Sequence, residues 1–150
     1  AVIRIERFGG TADPARVALL AVFHDAEEVI TGDLPTPIKY FNPQVRTAFG
    51  ELSVVAQDRL LGMLPEFMRS HYEPLLRDGT AAQGELELVK AADRICAYLK
   101  CLEEAKAGNS EFALAEQQIW QSLQESELPE VGVFMDTFVP SFRLTLDELN

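Results

Sequence analysis

One histidine and four carboxylates stand within the ten residues from His24 to Asp33, in the run Phe23-His24-Asp25-Ala26-Glu27-Glu28-Val29-Ile30-Thr31-Gly32-Asp33. An imidazole nitrogen with carboxylate oxygens is a donor set for a divalent metal, and a carboxylate beside such a site can move a proton. The preceding stretch, Val17-Ala18-Leu19-Leu20-Ala21-Val22-Phe23, is apolar without a polar break, which predicts a helix buried nearly all round. Such a helix would carry His24 and Asp25 into the interior, where charge is costly unless it is paired or bound to a metal. If the helix continues, Glu28 lies four residues from His24 and three from Asp25, so all three share one face. Gly32 is placed to end it, and Leu34 and Thr36, each before a proline, are pushed towards extended geometry.

Farther along, Asp93 shares a helical face with Leu86, Val89, Cys96 and Ala97. Two readings of a carboxylate on an apolar stripe stay open. It is bonded to the backbone or to Lys90 or Lys100, or it belongs to a site. His24 and Asp25 have the same pair of readings: a hydrogen-bonded core histidine beside a surface aspartate, or two ligands. His71, among Arg69, Ser70 and Glu73, reads as surface, and Trp120 as core. Cys96 and Cys101 sit five apart on different faces of one helix, a spacing that suits neither a zinc pair nor a redox pair.

The elements that must hold these residues are all helical. Ala1 to Arg7 read as the end of a helix closed by Phe8-Gly9-Gly10, and Asp13-Pro14 starts the next, which should run to about Thr31. Asn42-Pro43 is a second start of the same kind, opening a helix with Phe49, Leu52, Val55, Ala56, Arg59 and Leu60 on one face. Leu64-Pro65 begins a shorter helix that Pro74 bends or ends. Arg77-Asp78-Gly79-Thr80 is a turn, and Glu85 to Ala107 a long helix stopped by Gly108-Asn109. Ser110 is placed to cap a following helix, Glu130 to Phe138 form a last solid one, and Thr145 and Glu148 have capping-box spacing. No alternating strand pattern of useful length and no repeat is present. The class is all-α.

Three runs carry a resemblance: His24-Asp25 with Glu28-Val29-Ile30-Thr31-Gly32-Asp33-Leu34-Pro35-Thr36-Pro37-Ile38-Lys39-Tyr40-Phe41-Asn42, then Ala97-Tyr98-Leu99-Lys100-Cys101-Leu102-Glu103-Glu104, then Phe138-Val139-Pro140-Ser141-Phe142. Along its whole length the chain resembles the HD-domain metal-dependent phosphohydrolases, most closely the bacterial 5'-deoxynucleotidases of the YfbR-like group. The resemblance implies a single HD-domain helical bundle over residues 1–150, with His24, Asp25 and Asp93 as ligands of one divalent transition metal such as Co, Mn, Zn or Ni. It implies Glu28 as the catalytic acid-base group and Asp33, Leu34, Pro35 and Thr36 as the loop that contacts the substrate. The superfamily also takes a histidine from a helix upstream of the doublet, and no histidine precedes His24. The expectation is that this ligand lies before Ala1, together with the group's phosphate-binding arginine and sugar-contacting tryptophan.

Length and charge bound the rest. The 150 residues suit one domain with a sizeable core, and a formal net charge of −11 argues against a nucleic-acid polymer as partner. The same charge repels a phosphate substrate, so a bound divalent cation and a local arginine have to reverse the sign in the pocket. With no membrane-spanning run and no signal-peptide pattern, cytoplasm is the expected compartment and a membrane is not a partner. The reading is hydrolysis of a deoxyribonucleoside 5'-monophosphate to deoxynucleoside and phosphate, by a protein that the resemblance implies is a homodimer. Its rivals are an HD-type hydrolase of nucleoside di- or triphosphates, for which the loop offers only Lys39, and a non-catalytic helical interaction module.

Overall fold

Proline and glycine punctuate this chain where its helices begin and end. The computed structural model describes residues 1–34, 42–77, 81–144 and 146–149. Its α-helices are α1 (Val2–Phe8), α2 (Pro14–Phe23), α3 (Glu28–Thr31), α4 (Pro43–Met63), α5 (Glu66–Leu76), α6 (Gln83–Lys106), α7 (Ala113–Gln124) and α8 (Pro129–Phe142). A 3-10 turn follows at Leu146–Leu149, and there is no strand among the described residues. The fold is all-α.

The starts follow the side chains. Asp13 Oδ1 accepts from the backbone N–H groups of Ala15 at 2.9 Å and Arg16 at 3.2 Å, and Asn42 Oδ1 accepts from that of Val45 at 2.8 Å. Each satisfies donors that the first turn leaves open. Gly9 (φ +64°) and Gly108 (φ +84°) close α1 and α6 in a backbone region that only glycine enters cheaply. Ser110 is not the start expected of it: α7 begins three residues later, at Ala113, and Phe112 at its N-cap makes no side-chain cap. Asn109 takes the local turn instead, its Oδ1 accepting from the Glu111 N–H at 3.1 Å.

The chain forms two compact units. The first combines residues 1–17 with residues 84–150, and the second is residues 18–83. In the first, Ile95, Tyr98 and Leu102 of α6 meet Leu123 of α7 and Val131, Met135 and Val139 of α8 in a buried core. Tyr98 is its best-covered large side chain. Its hydroxyl accepts from Arg143 at 2.8 Å, and its ring lies 5.4 Å from that of Trp120. The exposed flank of α6 includes Asp93, Cys96 and Ala97. The buried stripe runs through 88, 89, 95, 98, 101 and 102, so of the face expected around Asp93 Val89 is buried while Asp93, Cys96 and Ala97 are exposed, which corrects the expectation of a carboxylate on a buried face.

In the second unit α4 packs against α3 and α5. Ala56 and Leu61 are its buried residues, while Leu52 and Val55 are exposed. Phe49, Ala56 and Leu60 of the expected face are covered, but Val45, Ser53 and Gln57 join them on the covered side in place of Leu52, Val55 and Arg59. Pro74 sits inside α5, which ends at Leu76. Of α2, only Val17 and Leu20 are buried, and Leu19 and Val22 face outwards, so this helix is covered on one side and not all round.

Arg4 locks α1 to the rest of the first unit. Its side chain is bonded to Glu130 at the start of α8, and its Nη1 donates to the Gly84 carbonyl at 3.1 Å. Gly10 lets it lie there, since a Cβ at that position would fall 2.5 Å from Arg4 Cγ. Burial alone would raise the Glu130 carboxyl pKa. The hydrogen bond from Arg4, that from its own backbone N–H and the arginine charge outweigh burial and hold it below the usual carboxylate range. A lowered folded-state pKa gives stability that is complete above the unfolded value of about 4.3 and lost as pH falls through the folded one. Arg4→Ala, which leaves a buried carboxylate without its partner, should therefore cost about 3–5 kcal/mol at pH 7. The gap to wild type should narrow at pH 4 and below. Urea unfolding of both proteins at the two pH values checks this, and a gap that does not change with pH contradicts it.

Candidate active site

The buried stripe of α2, Val17 and Leu20, points one turn on to the end of the helix. That end is Phe23, not Thr31. From His24 to Glu27 the chain turns more tightly, with Ala26 N–H donating to Phe23 C=O at 3.0 Å, Glu28 to Asp25 at 3.0 Å, Val29 to Ala26 at 3.3 Å and Ile30 to Glu27 at 2.9 Å. These bonds span three residues instead of four, so residues three apart come nearly into line. Asp25 and Glu28 are such a pair. A continuous helix carrying His24, Asp25 and Glu28 on one face is thus corrected to a helix end, a tight turn and the short α3.

The turn also changes the burial expected of the doublet. His24 keeps 32% of its side-chain surface exposed and Asp25 49%, so neither is carried into the interior. What constrains them is direction. His24 Nδ1 lies 2.7 Å from the Ala21 carbonyl oxygen, which can only accept, so Nδ1 carries the hydrogen. The acceptor face of the ring is then Nε2, and it stands 2.8 Å from Asp25 Oδ2. A lone pair facing a carboxylate at that distance is repulsive unless a cation lies between them. A proton on Nε2 meets the requirement, and so does a divalent metal taking one ligand from each. The donor chemistry therefore fits a metal ion.

Glu28 is half-buried and opens α3, with its N–H tied to the Asp25 carbonyl. Gly32 ends α3 where the sequence places the stop, at φ +72° and ψ 157°, a positive-φ conformation that favours glycine but lies outside the left-handed helical region. Asp33 is exposed and Leu34 half-buried. Pro35 and Thr36 lie outside the described residues. Asp93 belongs to the other unit, on the exposed flank of α6. His71 is exposed, as expected for a surface residue. Cys96 and Cys101 are free thiols, the first exposed and the second buried, and burial, then the charge of Glu116, pushes the Cys101 thiol pKa up. Two participants escaped the sequence reading. One is the Ala21 carbonyl, for which no side chain gives a signal. The other is Tyr72, whose ring meets Phe23 edge-on with centroids 5.9 Å apart.

Comparison with known proteins covers this whole arrangement. Residues 1–142 match the family model described as 5'-deoxynucleotidase YfbR-like. A 5'-deoxynucleotidase of Vibrio cholerae is 52% identical over all 150 residues, which span 77% of that protein. One from Vibrio parahaemolyticus is 49% identical over the same length, again 77% of the protein. The 5'-deoxynucleotidase YfbR of Escherichia coli is 47% identical, with 75% of its length covered. On a match this long and this close, the chain belongs to the YfbR-like 5'-deoxynucleotidase family.

Proposed function

We propose that this protein is a metal-dependent 5'-deoxynucleotidase that hydrolyses deoxyribonucleoside 5'-monophosphates to deoxynucleoside and phosphate. The observation that carries the chemistry is the pair formed by His24 Nε2 and Asp25 Oδ2, a ring nitrogen and a carboxylate oxygen that converge to 2.8 Å and are the donor types a divalent transition ion takes. His24, Asp25 and Asp93 are the metal ligands in this reading, a nitrogen and carboxylate oxygens that suit Co, Mn, Zn or Ni better than magnesium. When bound, the ion supplies Lewis-acid polarisation of the phosphoryl group and a more acidic water. Ala21 holds the imidazole so that Nε2 presents its lone pair. Glu28, next to the ligands in the turn but not itself one, takes the proton of the attacking water or gives one to the leaving 5'-oxygen. Asp33, Leu34, Pro35 and Thr36 bound the sugar. Residues 1–150 act as one HD-type domain in the cytoplasm, and a homodimer is the form in which we expect it to work.

The rival substrates, nucleoside di- and triphosphates, need more positive charge than this segment offers. Residues 24–33 contain no lysine or arginine, and the loop that follows adds only Lys39. Among the described residues, no helix is long and apolar enough to cross a membrane.

Metal content tests the first half of the proposal. The full-length protein, purified without chelator, should carry about one divalent transition ion per chain, and EDTA should abolish phosphate release until that ion is restored. Activity indifferent to chelator, with no metal by elemental analysis, contradicts it.

Division of labour tests the second. Glu28→Ala should lower kcat by roughly 10²–10⁴ while the metal content stays as in wild type. Asp93→Ala should lose the metal. Wild-type turnover in the Glu28 variant removes that residue from the chemistry.

Selectivity tests the third. Leu34-Pro35-Thr36-Pro37 contains two residues with fixed φ and two restricted by the proline that follows, so this wall yields little to an added 2'-hydroxyl. An apolar pocket alone discriminates by only about 10². We expect kcat/KM for dAMP to exceed that for AMP, with weak dependence on the base, and Pro35→Gly to narrow the ratio more than it lowers turnover of dAMP. Equal values for the two substrates in wild type contradict the deoxynucleotide reading.

A further inference from the structure

Everything that orients the His24-Asp25 pair starts from the last turn of α2. The Ala21 carbonyl holds Nδ1 of His24, and the Phe23 carbonyl accepts the Ala26 N–H that begins the turn carrying Asp25. A helix end frays readily when nothing pins it. Here the pin is aromatic. Phe23, half-buried, is met edge-on by Tyr72 of α5, at 5.9 Å between centroids and 82° between planes, a favoured geometry for two rings. Tyr72 is in turn well anchored. Leu76, one turn along the same face of α5, is buried, and α5 packs against α4. On the far side of the doublet, α3 packs against the same α4. His24 to Glu27 are therefore held between two attachments, α3 on one side and the Phe23–Tyr72 contact on the other.

We propose that Tyr72 is a positioning residue for the metal ligands. Through the ring of Phe23 it fixes the final turn of α2, and so keeps His24 Nε2 and Asp25 Oδ2 convergent on one ion. This inference rests on the metal reading given above. The contact uses the ring and not the hydroxyl, so phenylalanine should serve as well as tyrosine.

The test is made on full-length protein stripped of metal and titrated with Co(II), following the visible absorption of the bound ion and its loss to a competing chelator. Tyr72→Phe should bind Co(II) within about twofold of wild type. Tyr72→Ala should bind it about 10–100-fold more weakly, the usual effect of losing a group that orients a ligand. At saturating Co(II), kcat of Tyr72→Ala should return towards wild type with KM for dAMP little changed. Leu61→Ala removes a buried side chain from α4 of the same unit and serves as the control. It should lower the melting temperature at least as much and leave the Co(II) affinity as in wild type. Should Tyr72→Ala fail to fold, Tyr72→Leu, which keeps bulk but loses the edge contact, carries the same expectation. Unchanged Co(II) affinity in the alanine or leucine variant overturns the proposal. So does an equal loss of affinity in Leu61→Ala, which would mark a general loosening of the unit. A wild-type protein that binds no Co(II) overturns the metal reading itself, and this inference with it.

Discussion

Nε2 of His24 and Oδ2 of Asp25, which a proton or a divalent ion can bridge, are held 2.8 Å apart. In water such a pair would swing away at little cost. Here the ring cannot turn without giving up the bond to the Ala21 carbonyl, and the turn that carries Asp25 is tied to Phe23 and Glu28. The convergence of the two atoms is thus built into the backbone, as preorganisation requires.

This constraint gives a reason for the break in the helix. Had α2 continued with regular geometry, the Phe23 carbonyl would have bonded four residues on and the doublet would have lain flat on a helical wall. Closing the bonds over three residues moves successive side chains round the axis by about 120° instead of 100°. Asp25 and Glu28 then stack, bringing the proposed ligand and the proposed proton-transfer group onto one edge of the turn. The short α3 would be marginal alone, since an isolated helix needs far more than one turn to persist. It persists because α4 packs against it.

Legibility in the sequence followed the range of the interaction. Caps and stops were readable at Asp13, Asn42, Gly9 and Gly108, because each depends on a side chain or a missing Cβ within a few residues. The candidates His24, Asp25 and Glu28 were picked out by residue type and by the resemblance that the flanking run carries. The tight turn was not, for every residue from Val17 to Ile30 tolerates a helix and none announces a three-residue bond. The face of α4 came out partly wrong because Leu52 and Val55 look like core by hydropathy, while the packing of α3 and α5 selects neighbouring positions. Asp93 shows the same failure: counting steps along α6 gives the period but not which side its partners α7 and α8 cover. The Arg4–Glu130 pair was out of reach, since 126 residues separate its members.

The acidity of the chain bears on the same centre. Asp25, Glu27, Glu28 and Asp33 crowd the segment that must receive a phosphate, and no basic side chain stands among them. Arg69 and Arg77 of the same unit are already committed, the first to the carbonyls of Gly62 and Leu64, the second to Asp58 and Glu73. At physiological salt the Debye length is about 8 Å, so distant charges are muted and the local four decide the field. A divalent ion at His24 and Asp25, as proposed above, would offset part of that negative field for a dianionic phosphate. In the reading proposed above, the segment is acidic because Asp25 holds the ion, Glu28 moves a proton and Asp33 bounds the sugar, and the ion offsets the charge that these roles bring to a site for a phosphate ester.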